Sequence, residues 1–261
     1  MYIDASMVGT LGGETSASIV LVSTTMWLFS GVWIAAATGF SVQAAHRIGA
    51  NALEGARAVL RQAFVITSLF GLIVAVIGCA ISSSLPEWLG GNADIVENAS
   101  RYFLIYAMSL PFLQLNYLSG GMLRCSGNMR VPSLLSMLMC VLDVFFNLLL
   151  IFPSREVCFA GFDFVFPGAG MGVAGAALGT ALAVVVTSSL MTGYLCFRSP
   201  ELALHNKAGS FRPTFHCLKN AAHISVPMGC ERIIMCGAQI MSTVIVAPLG
   251  TIATAANAFA I

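Results

Sequence analysis

Long apolar stretches separated by short polar segments make up nearly the whole chain. Each stretch is near or above the roughly 20 residues that an α-helix needs to cross the hydrocarbon layer of a bilayer. Residues 1–8 have the pattern of the last turns of an earlier helix, and residues 251–261 that of the start of a later one. The pattern predicts an all-α integral membrane protein with spans at residues 16–45, 60–84, 98–123, 131–153, 171–197 and 221–248.

Composition supports the membrane prediction. Of the 261 residues, 58% are hydrophobic and 9% are charged, whereas a soluble domain carries about 25% charged residues. The net charge of +1 and the lack of a basic tail give no reason to expect a nucleic-acid partner. The 8 cysteines form no C-x-x-C pair, so we interpret them as small hydrophobic residues rather than metal ligands.

The distribution of lysine and arginine predicts the orientation. Basic residues are concentrated in the connections at 46–61, 123–132 and 197–220, which have the same parity along the chain. The connections on the opposite side contain only Arg101 and Arg155. Because lysine and arginine are enriched in cytoplasmic loops, we expect the basic connections to be cytoplasmic in a multi-pass protein of the cell (plasma) membrane.

One carboxylate interrupts the fourth apolar stretch. Asp143 lies in the middle of the run 134–152, and Asn147 follows one turn later on the same helical face. A carboxylate at the centre of a bilayer costs roughly 2.5–3.5 kcal/mol on insertion scales, and such residues usually mark functional sites. The alternative is a structural acid that is hydrogen-bonded to a neighbouring helix.

A short internal echo indicates a repeated architecture. Residues 9–17 and 247–255 both contain Leu-Gly, followed five residues later by an alanine that opens the next apolar stretch. Six predicted spans separate the two segments, so both fall on the same side of the membrane. This arrangement suggests two parallel six-helix repeats, a common plan among transporters.

Four motifs resemble, in order, those of the multidrug and toxic compound extrusion (MATE) transporters. DASMVGTLG at 4–12 resembles the family's first-helix signature, and LRCSGNMRVP at 123–132 resembles the loop before its fifth helix. GVAGAALGT at 172–180 resembles the opening of the sixth helix, and ISVP at 224–227 the entry to the seventh. Together the motifs cover essentially the whole chain.

The resemblance implies a two-lobe fold of twelve helices, of which this chain would hold one six-helix lobe. Residues 1–197 would form helices 1–6 of the N-lobe, with helix 1 truncated, and 198–220 the cytoplasmic inter-lobe loop. Residues 221–261 would form helix 7 and the start of helix 8 in the C-lobe. We therefore expect a fragment of a longer protein that is monomeric at full length.

The resemblance also implies a binding site for a proton or sodium ion. Residues that match Asp4, the Asp143–Asn147 pair and Thr180 contribute to such a site in the family's N-lobe. Many members place asparagine first and aspartate four residues later. The reversed order here puts the carboxylate one turn, about 6 Å, closer to the cytoplasm.

Each of these residues also has a structural interpretation. Asp4 could be a helix-end residue near the interface, and Asn147 could hydrogen-bond between helices. Thr180 could bond the carbonyl of its own preceding turn. For the site itself, a carboxylate in a dry bundle can hold a proton near neutral pH, whereas Na⁺ prefers several oxygen ligands. Beyond Na⁺ at these four positions, we expect no metal and no cofactor.

A second group of residues is a candidate for the substrate cavity. Met26, Trp33 and Tyr117 are of the types that suit flat, amphipathic cations, although lipid-facing or packing roles are the alternative. Glu231 follows Pro227 by one turn. It could line the cavity or pair with Arg232 near the cytoplasmic mouth.

A glycine-rich match at 170–175 has the form G-x-G-x-x-G, but no acidic residue follows about 20 positions later, as a dinucleotide site requires. We interpret Gly175 and Gly179 instead as a small-xxx-small contact that lets the sixth helix approach its neighbours closely.

The function we expect is secondary active antiport: export of amphipathic or cationic drugs or metabolites in exchange for H⁺ or Na⁺, by alternating access, without enzyme activity. One alternative is a lipid-linked oligosaccharide flippase, but such proteins commonly line the cavity with arginine or lysine, and we find none in the mid-helix stretches. A second is a membrane-embedded enzyme, but the acids have no histidine partner at helical spacing. A third is a scaffold that does not transport.

Overall fold

Long α-helices form most of the structure, as the apolar stretches predict. The computed structural model describes Met7, Gly9 and residues 13–89, 93–159, 162–204 and 211–246. Its helices are α1 (Gly13–Gly49), α2 (Leu53–Ile81), the short α3 (Leu85–Trp88), α4 (Ala93–Cys125), α5 (Arg130–Leu150), α6 (Gly172–Phe197) and α7 (Phe215–Val246). The predicted fold class is confirmed.

Four segments within the described residues are long and apolar enough to cross a membrane: Thr25–Gly49, Leu53–Ile81, Arg130–Leu150 and Gly172–Phe197. The other two predicted spans correspond to α4 and α7, which are helical but more polar. Helix α4 packs against α1, α2 and α6. Its side chains Gln114 and Ser119 are fully buried, so these polar groups are shielded from lipid.

The outer surfaces of α2 and α5 are strongly apolar. Leu72 and Val76 on α2, and Leu134 and Met137 on α5, are all more than half exposed. Soluble proteins rarely expose contiguous apolar surface on this scale. These faces therefore suit contact with lipid chains.

Polar side chains join the central helices. The Asn116 amide donates to Thr187 Oγ1 at 3.4 Å, and the Ser119 and Thr192 hydroxyls are 3.0 Å apart. Both pairs link α4 to α6. In hydrocarbon, where water is absent, such interhelical hydrogen bonds favour association of the helices.

Helices α5 and α6 approach closely through glycine, as predicted from the small-xxx-small spacing. A Cβ added at Gly175 would collide with the backbone carbonyl of Leu150, and one added at Gly179 would collide with the Asn147 side chain. Because Gly175 and Gly179 have no side chains, α5 and α6 come closer together here than larger residues would allow.

The motif at 123–132 builds the turn from α4 to α5. Gly127 has a φ of +81°, a left-handed conformation that glycine adopts without strain, and its N–H donates to the Arg124 carbonyl at 3.0 Å. Asn128 Oδ1 accepts from the Val131 N–H at 3.2 Å, and its amide donates to the Tyr194 hydroxyl on α6 at 3.3 Å. The turn ties the start of α5 to α6.

A β-hairpin follows α5, in a segment where the apolar pattern predicts a loop. Strands β1 (Pro153–Phe159) and β2 (Phe162–Ala169) are antiparallel, with Arg155 opposite Phe166 and Phe159 opposite Phe162. The alternation of phenylalanine with other residues in Phe162–Ala169 is the period-two signal of a strand. A search for bilayer-length runs passes over it because each strand is short.

We predict that Gly175→Ala lowers the free energy of unfolding by about 1–3 kcal/mol, because its Cβ must displace backbone rather than a movable side chain. Thermal unfolding of the purified protein in detergent, followed by circular dichroism, measures the change.

Gly193→Ala on the same helix is the matched control, because a Cβ there meets nothing within 4 Å. We expect it to leave stability unchanged or to raise it slightly, since alanine is the better helix former. Equal stability of the two variants would contradict the close α5–α6 contact.

Candidate functional site

A cavity of about 310 Å³ lies between α1, α4, α5 and α6. This volume falls within the range of roughly 300–1,000 Å³ that small-molecule sites occupy. Its lining consists of Met26, Trp27, Ser30, Tyr102, Tyr106, Ser109, Leu113, Tyr117, Met139, Cys140, Asp143, Ala177, Thr180, Ala181 and Val184. The wall is thus mainly aromatic and apolar, with a few hydroxyls and one carboxylate.

Helical periodicity places the aromatic wall. On α4, the lining residues Tyr102, Tyr106, Ser109, Leu113 and Tyr117 recur every three or four positions. Residues at this spacing share one helical face, so α4 turns a continuous tyrosine-rich stripe toward the cavity. The opposite side of α4 packs against α2 near Gly71 and Gly78.

Asp143 and Thr180 form the polar part of the wall. Asp143 on α5 is partly buried, and Thr180 on α6 lines the same cavity. The Thr180 hydroxyl donates to the Ala176 carbonyl at 3.1 Å. This is the hydrogen bond to its own preceding turn that we expect if Thr180 has a structural role. That bond uses the proton of the hydroxyl but leaves acceptor lone pairs on its oxygen. Thr180 therefore remains able to face a cation.

Asn147 does not line the cavity with Asp143. It is fully buried at the close contact between α5 and α6, against Gly179, and it is not among the residues that line the cavity. Its placement fits an interhelical role. Asp4 lies outside the described residues, so the structure brings together Asp143 and Thr180 of the four implied positions.

Only some of the candidate substrate residues line the cavity. Met26 and Tyr117 line the cavity. Trp33 does not, because it is fully buried, stacks on Phe29 with ring centroids 5.7 Å apart and packs among α1, α2 and α4. Glu231 is exposed on α7, outside the cavity lining.

Several lining residues were missed in the sequence analysis. Met139 and Cys140 precede Asp143 by four and three residues, so the face that Asp143 occupies predicts them. Tyr102 follows in the same way from Tyr117 through the α4 stripe. Counting helical spacing from Asp143 or Tyr117 could therefore have identified these residues from the sequence.

The structure corrects the expectation that the mid-helix stretches contain no arginine or lysine. Arg232 lies within α7, 17 residues after Phe215, or about 25 Å along the helix axis. The mid-helix stretches therefore do contain a basic residue.

Comparison with known proteins places the chain in a family. A family model described as MatE matches residues 1–149. The chain is 23% identical over 231 residues to the probable multidrug resistance protein NorM of Thermotoga maritima, an alignment that covers 88% of this chain and 47% of that protein. The chain thus spans about half the length of this relative.

Solved structures share the fold. The crystal structure of a MATE protein in complex with MaD3S matches with a TM-score of 0.80 and 22% identity, over 97% of this chain and 53% of that one. An inward-facing MATE multidrug resistance transporter matches with a TM-score of 0.76 at 24% identity, over 94% of this chain and 52% of that one. An outward-facing MATE multidrug resistance transporter matches with a TM-score of 0.78 at 22% identity, over 94% of this chain and 51% of that one. Since the MatE model also matches more than half of the sequence, the chain belongs to the MatE family.

Proposed function

We propose that this chain is the N-lobe, with the start of the C-lobe, of a secondary active transporter that exports amphipathic, often cationic drugs or metabolites in exchange for H⁺ or Na⁺. The observation that carries the proposal is the cavity itself, in which Asp143 supplies one carboxylate within an aromatic and apolar wall. Aromatic faces attract cations and flat apolar bodies, and a carboxylate adds charge selectivity. The name of the Thermotoga maritima relative is consistent with this substrate class.

Coupling would act through the charge state of Asp143. An ionised carboxylate attracts a cationic substrate, and a bound H⁺ or Na⁺ neutralises that attraction. The ion can drive transport only if its affinity differs between the two access states of the protein. Thr180 would contribute a hydroxyl oxygen beside the carboxylate when the ion is Na⁺. We extend the site to Asp4 on the family resemblance alone, and Asn147 would support it by fixing α5 against α6.

Alternating access is supported by the likeness of this fold to both access states. The chain matches the inward-facing and outward-facing transporters with TM-scores of 0.76 and 0.78. A lobe that keeps its fold in both states suits rigid-body rocking around a fixed site, which is common among transporters built from repeats.

We further propose that the connections at 46–61, 123–132 and 197–220 face the cytoplasm of a cell with the protein in its plasma membrane. The lysine and arginine bias supports this orientation. The full-length protein would act as a monomer with residues 1–197 in one lobe, 198–220 as the linker and 221–261 beginning the other.

The rival functions find less support at this site. A flippase for lipid-linked oligosaccharides needs basic residues for the pyrophosphate, and the lining of the described cavity includes no lysine or arginine. An enzyme needs a nucleophile with a base, and that lining includes no histidine.

We predict that Asp143→Asn in the full-length protein preserves folding but lowers ion-driven efflux at least about tenfold, because the near-isosteric amide cannot be ionised. Efflux of a fluorescent dye cation from proteoliposomes measures the loss. Glu97→Gln is the control, since Glu97 is an exposed acid that pairs with Arg101 and is not among the residues that line the cavity. Wild-type efflux by the Asp143 variant would refute the assignment.

The coupling ion is identified by imposing the two gradients separately. We expect either an inward pH gradient or an inward Na⁺ gradient to drive dye export by the wild-type protein, and the Asp143→Asn variant to lose the response to that same gradient. If neither gradient drives export, the protein is not an antiporter of this kind.

A further inference from the structure

A second cavity of about 310 Å³ lies between α1, α2 and α7, and it shares no lining residue with the cavity that contains Asp143. Its lining comes from residues 32–40 of α1, 66–70 of α2 and 218–229 of α7, and none of the lining residues is charged. The hydroxyl of Thr67, one of its few polar groups, donates to the Ala63 carbonyl of its own helix at 2.7 Å. The wall is therefore almost entirely apolar.

Hydrogen bonds between the helices close one end of this cavity. The Gln43 side-chain amide on α1 donates to the Cys217 carbonyl on α7 at 3.2 Å. The Thr214 N–H, just before α7, donates to Gln62 Oε1 on α2 at 3.0 Å. Further along α7, the lining residue Val226 is 62% exposed. The cavity is thus an open groove, with α1 as its floor and α2 and α7 as its walls, and we call it the α2–α7 groove.

The length of the α2–α7 groove matches one leaflet of a bilayer. Its lining on α7 runs from Leu218 to Gly229, which is about 16 Å along the helix axis. Since the hydrocarbon layer is about 30 Å thick, each leaflet contributes about 15 Å. Helix α7 begins at Phe215, close to Leu218, so the groove extends from near one membrane surface toward the bilayer centre. An acyl chain of that leaflet therefore fits the groove in both length and polarity.

Three basic residues lie near the closed end of the groove. Lys219 is exposed on α7, directly after the first lining residue of that helix. Arg212 is exposed two residues before Thr214, and Arg47 is exposed on α1, one turn beyond Gln43. Positive side chains at a membrane surface attract anionic headgroups, and basic pockets between transmembrane helices bind such lipids. The charge at this end of the groove is therefore complementary to an anionic headgroup.

We infer that the α2–α7 groove binds an anionic phospholipid, with one acyl chain along the apolar wall and the headgroup phosphate in contact with Lys219 and Arg212. The lipid lies between α2 and α7, the helix that we propose begins the C-lobe. This site is separate from the proposed transport cavity, so its occupancy can be measured without transport.

Photoactivatable lipids test the site in the full-length protein. The protein is reconstituted into phosphatidylcholine nanodiscs that contain a trace of phosphatidylglycerol with a diazirine on one acyl chain. After illumination, mass spectrometry of the peptides locates and quantifies the attached lipid. A phosphatidylcholine probe with the same diazirine chain measures the contribution of the headgroup. In the wild-type protein we expect the phosphatidylglycerol probe to label the groove more strongly than the phosphatidylcholine probe does.

Ala222→Trp tests the seat of the acyl chain, because Ala222 lines the groove. We expect the indole to take the place of the chain and to lower labelling of the groove by both probes about tenfold, since packed interiors leave no room for both. Val76→Trp is the matched control. Val76 is also 62% exposed, on the outer surface of α2, and it does not line the groove. Unchanged circular dichroism verifies that each variant is folded.

Lys219→Gln tests the headgroup contact and does not depend on how Ala222→Trp folds. We expect labelling by the phosphatidylglycerol probe to fall about fivefold, the effect of one basic residue near a membrane surface, and labelling by the phosphatidylcholine probe to stay the same. Arg130→Gln is the control, because Arg130 is an exposed basic residue at the start of α5, a helix that contributes no residue to the groove.

Two results would overturn the inference. Labelling confined to surfaces outside the groove would show that another part of the full-length chain covers it. Equal labelling of the groove by the two probes in the wild-type protein, or an equal loss in Lys219→Gln and Arg130→Gln, would assign the chain to the general lipid annulus. Because these measurements report lipid binding alone, either result leaves the proposed transport function standing.

Discussion

The close approach of α5 and α6 is the contact on which the candidate site depends. Gly175 and Gly179 let α6 approach the backbone of α5 at Leu150 and the side chain of Asn147. The same two helices carry Asp143 and Thr180, one turn and one residue away from Asn147 and Gly179. A larger side chain at either glycine would separate the helices and, with them, the carboxylate and the hydroxyl. Packing and the proposed ion binding would therefore constrain the same short segment.

The sequence predicted the fold well because bilayer thickness imposes a length on each helix. Any apolar run long enough to span must be helical, since hydrocarbon offers no partner for unpaired backbone groups. The hairpin at Pro153–Phe159 and Phe162–Ala169 was not predicted in this way. It lies between two spans, where bilayer thickness does not set the length of an element. Periodicity of two was the better guide there, and it was present in the sequence.

The site was predicted less completely, because the spacing of residues in one helix does not show which neighbouring helices cover them. Asp143 stood out because its charge is rare in an apolar run, but spacing could not tell which neighbours share its cavity. Asn147 is on the same face by the four-residue rule, yet one turn of displacement moves it from the cavity into the α5–α6 contact. Trp33 likewise shares a face with Met26 but is buried among three helices. Facing direction follows from one helix, whereas burial depends on the others.

Helix α1 lies between the cavity and α7, the helix that we propose begins the second lobe. On one side it supplies Met26, Trp27 and Ser30 to the cavity wall. On another it contacts α7 at Gly31 and, through a close approach of the backbone to Ala221, at Gly39. In the proposed transporter α7 begins the C-lobe, so the proposed rocking movement would either carry α1 along with α7 or slide the two helices past each other at these glycine contacts. Glycine at these two positions leaves room for the Ser225 and Arg232 side chains of α7, so sliding would require both side chains to leave these spaces.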